Sequence, residues 1–289
     1  MIKSGFVNII KPTGMTSSDV VIKVKKILGL KKVGHLGTLD PAASGVLPIA
    51  FGKATKFFDY FLKKDKVYVA DVKFGVLTDT LDSFGSLAHN EQVDISIGDI
   101  KGVLGDFIGN IQQIPPKYSA IKINGKKACD LVRMGQDVEI SPREIRIYSI
   151  DLLDEIEKNV FRFKVHCSAG TYIRSLFNDI AGRLNTVATT PVIIRTKSGL
   201  FEIDNAVTIE ELQSVKATIS IDELFKNLKQ INVTDENLLK KLANGVKITK
   251  AELNYDITDN FLILSKGKLI GMYHYEDERL VCDVFLLEE

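Results

Sequence analysis

The stretch Gly34-His-Leu-Gly-Thr-Leu-Asp-Pro-Ala-Ala-Ser-Gly45 has no helical or strand periodicity through its centre. Small residues crowd a single carboxylate: Gly34, Gly37, Pro41, Ala42, Ala43, Ser44 and Gly45 all lie within a few positions of Asp40. Taken alone, an aspartate in such a loop is more often a turn or helix-capping residue. The density of small residues opens a second reading. Glycine lets a flat ligand approach the backbone closely. Pro41 stiffens the loop and favours an extended conformation at Asp40. The product would be one preorganised carboxylate at the floor of a cleft.

On the N-terminal side, Phe6 to Ile10 reads as a short strand, and Lys11-Pro-Thr-Gly14 turns the chain. Thr16, Ser17 and Ser18 offer a helix N-cap, with Asp19 in the first turn. Val20, Val21, Val24, Ile27 and Leu28 follow at helical spacing, lysines take the outer face, and Gly29 stops the helix. On the C-terminal side, Val46 to Phe51 is a continuous apolar segment. Val67 to Val76 alternates, with Tyr68, Ala70, Val72, Phe74 and Val76 on one face of a predicted strand. Ser96 can cap a helix with Ile100, Val103, Leu104 and Phe107 as its buried stripe. Phe161, Phe163, Val165 and Cys167 form a further alternating strand, and after Gly170 a helix carries Ile173, Leu176, Phe177, Ile180 and Leu184. The interleaving lacks βαβ regularity, so the expectation is an α+β fold on a mixed, largely antiparallel sheet. Near Lys229 the texture changes to a short helix, Asp235 to Ala243, and four short strands: Val246–Ile248, Phe261–Leu264, Leu269–Tyr273 and Val281–Leu287. The expected division is 1–228 for the main domain and 229–289 for a small β-rich one.

A chain of 289 residues is long enough for that pair of domains. The net charge of +1 hides an asymmetry: up to Lys66 there are twelve lysines against four aspartates, and the remainder is net acidic. A basic quarter points to a phosphate-facing side, with an ordinary solvated lysine surface as the plain alternative. Three scattered cysteines and four unpaired histidines carry neither a disulfide framework nor a metal spacing. No apolar run has the length of a signal peptide core or a membrane span, so a cytoplasmic protein is expected.

Two further segments carry chemical groups. Cys167-Ser-Ala-Gly-Thr-Tyr-Ile-Arg174 reads as strand, glycine turn and helix start, so Tyr172 and Arg174 can both reach a site over the strand end. Tyr68 sits on its own strand; each of the three has an ordinary core or surface reading when taken alone. Together with the Asp40 loop these segments resemble the TruB family of tRNA pseudouridine synthases. The resemblance extends in order through Lys11-Pro-Thr-Gly-Met-Thr-Ser17, Lys53-Ala-Thr-Lys56, Lys66-Val-Tyr68, Thr78-Asp-Thr80, Gln113-Ile-Pro-Pro-Lys-Tyr-Ser-Ala120, Gly125-Lys-Lys127 and Ile194-Arg-Thr-Lys-Ser-Gly199. It covers about residues 5 to 212.

The resemblance implies an isomerase that converts uridine to pseudouridine at position 55 in the T-loop of tRNA. The N1–C1′ bond breaks, the uracil turns, and C5 joins C1′, without redox change and with no cofactor or metal expected. Asp40 matches the essential aspartate; attack on C1′, attack on the base and removal of a ribose proton are all open to it. Among substrate-binding residues, Tyr68 matches the aromatic that stacks on the flipped base and Arg174 the arginine that pairs with the aspartate. Tyr172 matches the tyrosine of the pocket, and His35 the histidine that stacks into the RNA. Ile194 stands where the family more usually has leucine, against the uracil. The lysines of 23–32 and Lys53 to Lys66 are the expected tRNA surface, and 229–289 resembles a PUA-like tail, best at Gly267-Lys-Leu-Ile-Gly271. The expected partner is tRNA, with no obligatory protein partner. The rivals are a guide-RNA-dependent catalytic subunit, which normally carries extra N-terminal sequence and a fuller PUA domain, a non-catalytic tRNA-folding protein, and a nucleoside hydrolase.

Overall fold

The computed structural model describes residues 3–215 and 217–286. Eight principal strands, together with the two-residue strands Phe201–Glu202 and Ile219–Ser220, build a ten-stranded sheet: β1 (Gly5–Lys11), β2 (Val33–His35), β3 (Ser44–Phe51), β4 (Lys66–Phe74), β5 (Gly109–Gln113), β6 (Arg143–Glu157), β7 (Val160–Cys167) and β8 (Ala188–Ser198). Their order is β1-β3-β8-β4-β7-β6-β5, with β2 added to β3. Among the described residues, only β3 with β8 is a parallel strand pairing in this sheet, with Ile194 beside Ser44 and Arg195 beside Gly45. The expected mixed, largely antiparallel sheet is what forms.

Local signals explain the helices. In α1 (Ser17–Leu28), Thr16 and Asp19 form a reciprocal capping box, and Gly29 ends the helix in the left-handed region at φ 66°. Ser96 and Asp99 make the same box for α2 (Ile97–Leu104). Val20 and Val24 of α1, Ile100 of α2, and Leu176, Phe177 and Ile180 of α3 (Ile173–Arg183) pack on Val7, Leu47, Val72, Phe161 and Phe163 of the sheet. This is the main core. The run expected as one strand from Val67 to Val76 ends at Phe74 instead, because Gly75 takes φ 80° and redirects the chain into the short strand Val76–Thr78.

Beyond residue 228, β9 (Lys229–Asn232), β10 (Phe261–Ser265), β11 (Lys268–Glu276) and β12 (Arg279–Phe285) form a second sheet, and Asp235 caps α4 (Glu236–Ala243). Val246–Ile248 is not a strand: Ile248 is buried, but the segment leads directly into Thr249, which caps the short helix Lys250–Leu253. The expected last strand ends at Phe285, and Leu287 lies outside the described residues. The small sheet covers the opposite face of β1 and β3. Leu262, Met272 and Val284 join Phe6, Val46, Phe57, Phe61 and Phe225 in a second core, in which Phe57 and Phe225 stack at 5.0 Å. Among the described residues no helix is long and apolar enough to cross a membrane.

Candidate active site

Asp40 lies in the connection between β2 and β3, and the main chain on both sides of it is pinned by side chains from elsewhere. Arg195, 1 % exposed, donates to the carbonyls of Gly37 (3.2 Å), Thr38 (3.1 Å) and Val46 (2.8 Å). Ser17 Oγ accepts from the Leu39 amide at 2.9 Å and donates to its carbonyl at 3.0 Å. Lys11 Nζ donates to the carbonyls of Pro12, Met15 and Pro41 at 2.9, 2.7 and 3.4 Å. Buried polar groups must be paired in this way, and here the pairing immobilises a loop with no regular structure. Gly45 closes the loop at φ 105°; a Cβ there would lie 2.3 Å from the Arg195 carbonyl oxygen. The close β3–β8 contact therefore requires glycine at that position.

The Asp40 carboxylate faces a cavity of about 410 Å³, within the range of small-ligand sites, whose walls include Tyr68, Tyr172, Arg174, Ile193 and Arg195. Arg174 Nη2 donates to Asp40 Oδ2 at 2.6 Å and to the Tyr118 carbonyl at 3.2 Å. Its Nη1 donates to the Thr80 carbonyl at 2.7 Å and lies 3.2 Å from Asp82 Oδ2. Asp82 in turn accepts from Thr80 Oγ1 at 2.6 Å and from the Phe84 amide at 3.0 Å. A buried guanidinium thus bridges a buried carboxylate and one that reaches the cavity: side-chain exposures are 4 % for Arg174, 7 % for Asp82 and 36 % for Asp40. Its direction is set by two main-chain carbonyls, so the fork can present only one donor geometry to Asp40. Leu81, between the Thr80 carbonyl and Asp82, holds φ 61°, a strained value for leucine.

The remaining ionisable groups around the loop are shifted chiefly by burial. Lys11 falls to about 8, with the Asp40 charge opposing the fall and the Arg195 charge adding to it. Lys66 also falls to about 8, for burial first and Arg195 second. Burial pushes the Tyr68 hydroxyl up to about 12, against the opposing Arg195 charge. Burial raises Tyr172, and the Asp40 charge adds to that. His35 is lowered by burial and by Arg195, and its Nδ1 is buried without a hydrogen bond.

Of the residues singled out in the sequence, Asp40, Tyr68, Tyr172 and Arg174 come together around this cavity. Ile194 does not: strand alternation turns Ile193 into the cavity and Ile194 to the other face of β8. Register shifts on both sides, between Thr189 and Val192 and between Arg195 and Lys197, make that facing unreadable from the sequence. His35 on β2 is not among the lining residues. Lys11 and Lys66 are buried and bonded to carbonyls, so they drop out of the expected phosphate-facing set, whereas Lys23, Lys25, Lys26, Lys31 and Lys32 are exposed. Sequence reading assigned no role to Asp82 or Arg195. Arg195 stood inside a quoted segment, but Asp82 carried no composition or spacing that set it apart.

Among the described residues no group of His, Cys, Asp or Glu has the arrangement of a metal site. The model for the TruB family pseudouridylate synthase N-terminal domain matches residues 25–173. A protein from Clostridium kluyveri named tRNA pseudouridine synthase B is 45 % identical over 274 residues, 93 % of this chain and 94 % of that one. One of the same name from Clostridium novyi is 40 % identical over 98 % of this chain and 100 % of its own length. Among solved structures, a chain of a Cbf5-Nop10-Gar1 complex superposes with a TM-score of 0.72 and 27 % identity, over 99 % of this chain and 84 % of that chain.

Proposed function

The chain belongs to the TruB family of pseudouridylate synthases, and on that premise we propose that it isomerises uridine to pseudouridine at position 55 in the T-loop of tRNA. The observation that carries the reading is the Asp40 carboxylate, held by Arg174 at 2.6 Å and directed into a cavity with an aromatic wall. Breaking N1–C1′ builds positive charge on the ribose, and a fixed carboxylate stabilises that charge. The uracil must then turn while it remains bound. Tyr68 offers a ring face and Ile193 an apolar wall, which hold a flat base without fixing its rotation. The bond electrons balance within the nucleoside: C1′ loses N1 and gains C5, C5 releases its proton, and N1 ends protonated. No external oxidant, reductant or group donor enters that balance.

His35 is read as a contact to the RNA strand from which the base is drawn, and the exposed lysines of α1 and Lys31–Lys32 as phosphate contacts. Residues 229–289 are read as a PUA-like RNA-binding domain. The two relatives named as tRNA enzymes share 45 % and 40 % identity with this chain, against 27 % for the chain from the Cbf5 complex. That contrast supports an enzyme acting on tRNA without a guide RNA or obligatory protein partner. Incubation of the purified protein with unmodified tRNA transcript, followed by pseudouridine mapping, tests the reading. The expected product is one pseudouridine in the T-loop. Absence of product, or product only with added guide RNA, overturns it.

A further inference from the structure

Gln113 is the last residue of β5, and it is 1 % exposed. Its side chain makes two hydrogen bonds to one residue that is 59 positions away: Oε1 accepts from the Tyr172 amide at 2.8 Å, and Nε2 donates to the Tyr172 carbonyl at 3.1 Å. Both bonds form in only one orientation of the carboxamide, because the two ends have opposite polarity. A side chain here reproduces the pair of bonds that a neighbouring strand would make. Tyr172 is also the N-cap of α3 and has no side-chain cap bond of its own. The chain enters α3 from the turn at Gly170, so the entry depends on this external contact.

We propose that Gln113 is a positioning residue for the reaction, a two-point clamp that fixes the start of α3 and thereby the placement of Tyr172 and Arg174 against Asp40. The segment leaving Gln113 supports the same geometry. It returns to the site at Tyr118, whose carbonyl accepts from Arg174, and at Ala120 and Ile121, which line the cavity. Gln113 therefore registers two walls of the cavity to each other, the 114–121 segment and the α3 entry. Its effect passes entirely through other residues, since Gln113 itself does not line the cavity.

The inference rests on the proposed reaction, and the test separates the two. Single-turnover rate and tRNA dissociation constant are measured for wild type, Gln113→Met and Leu104→Ala, the last a core substitution in α2 away from the cavity, at a temperature where all three are folded by circular dichroism. Misplacing a reacting group by a fraction of an ångström to an ångström costs a rate factor of about 10 to 100. Gln113→Met is expected to lose that factor with tRNA affinity within about threefold, because phosphate contacts dominate binding. Leu104→Ala is expected to keep the wild-type rate per folded molecule. Should Gln113→Met not fold, Gln113→Glu keeps the volume and the acceptor for the Tyr172 amide while losing the donor. A lowered rate at unchanged affinity then supports the clamp. A wild-type rate in a folded Gln113 variant, or an equal loss in Leu104→Ala, overturns it. Wild type that makes no pseudouridine overturns the reaction instead.

Discussion

Asp40 shows about a third of its side chain to the cavity, while Arg174 and Asp82 behind it are buried. The arginine is committed on three sides, so the carboxylate can be changed without dismantling its support. Asp40→Asn is expected to abolish product and leave tRNA affinity within a few-fold; turnover and binding measured separately check this, and wild-type-like turnover would refute the assignment. Tyr68 divides into a ring that lines the cavity and a hydroxyl that burial holds in its protonated form. Tyr68→Phe keeps the ring and loses only the hydroxyl, with an expected cost of at most about 1 kcal/mol or roughly fivefold in rate. Tyr68→Leu also loses the stacking face, worth about 1–3 kcal/mol per base. Single-turnover rates at one salt concentration give the comparison, and equal loss in both variants would assign the role to the hydroxyl. At this scale the sequence was legible where a residue type stood inside a distinctive segment, as Asp40, Tyr68, Tyr172 and Arg174 did. It was illegible where three-dimensional facing decides. Asp82 is an ordinary aspartate until Arg174 arrives from 92 positions away, and Ile193 could be told from Ile194 only with the strand irregularities known.

Elements with local signals were readable, and those held by distant contacts were not. The capping boxes of α1 and α2 each lie within four consecutive residues, so a cap among Thr16, Ser17 and Ser18 and one at Ser96 were legible in the local sequence. Val246–Ile248 has strand-like residues, but its contact with β12 is one bond from the Leu280 amide to the Ile248 carbonyl and a bridge at Thr249, which is too little for a ladder. The Asp40 loop belongs to the second kind, since its anchors come from the end of β1, from α1 and from β8. Two substitutions probe those anchors. Gly45→Ala adds a methyl 2.3 Å from the Arg195 carbonyl at φ 105°, whereas Gly14→Ala at φ 89° meets nothing within 4 Å. Backbone strain of about 1–3 kcal/mol applies to both, and the clash to Gly45 alone. Gly45→Ala should therefore show the greater loss of denaturant midpoint and also lose activity; equal losses would refute the close-approach argument. Lys11→Met tests the buried ammonium. Its folded value of about 8 lies below the ordinary 10.5, so between those pH values the unfolded chain binds more protons and stability attributable to this group rises with pH. The stability of wild type relative to Lys11→Met is expected to increase from pH 8 to pH 10, measured by denaturant unfolding. A flat or falling difference would show that the lysine titrates normally.

At the scale of the whole molecule, the change of texture near residue 229 marks a new sheet with two faces: Ile231, Val233, Leu242, Phe261, Ile263 and Ile270 form a core of its own on one, and the other packs into a core shared with the main body. Phe6, Val46, Phe57, Phe61 and Phe225 share one buried cluster with Leu262, Met272 and Val284. The sequence could not reveal this sharing, because Phe6, Val46, Phe57 and Phe61 precede Leu262, Met272 and Val284 by about two hundred residues or more, and each set looks like the inside of its own domain. The consequence concerns cooperativity. Met272 is fully buried against residues of the main body, so truncating it removes contacts from both sheets at once. Met272→Ala should cost about 2–5 kcal/mol, as large-to-small changes in cores do. If the small sheet were a separate unit, that loss would appear as an early transition of residues 229–286, while the catalytic body melted unchanged. The shared cluster predicts otherwise. Wild type should unfold in one transition, the variant in one transition at a lower temperature, and pseudouridine-forming activity should disappear along the same curve as the far-ultraviolet dichroism. Activity and dichroism followed through heating decide the matter. Activity that outlasts a first dichroic transition in the variant would show that the main body keeps its core without the small sheet, and the contacts of Phe6 and Phe57 with it would then be incidental to the active site.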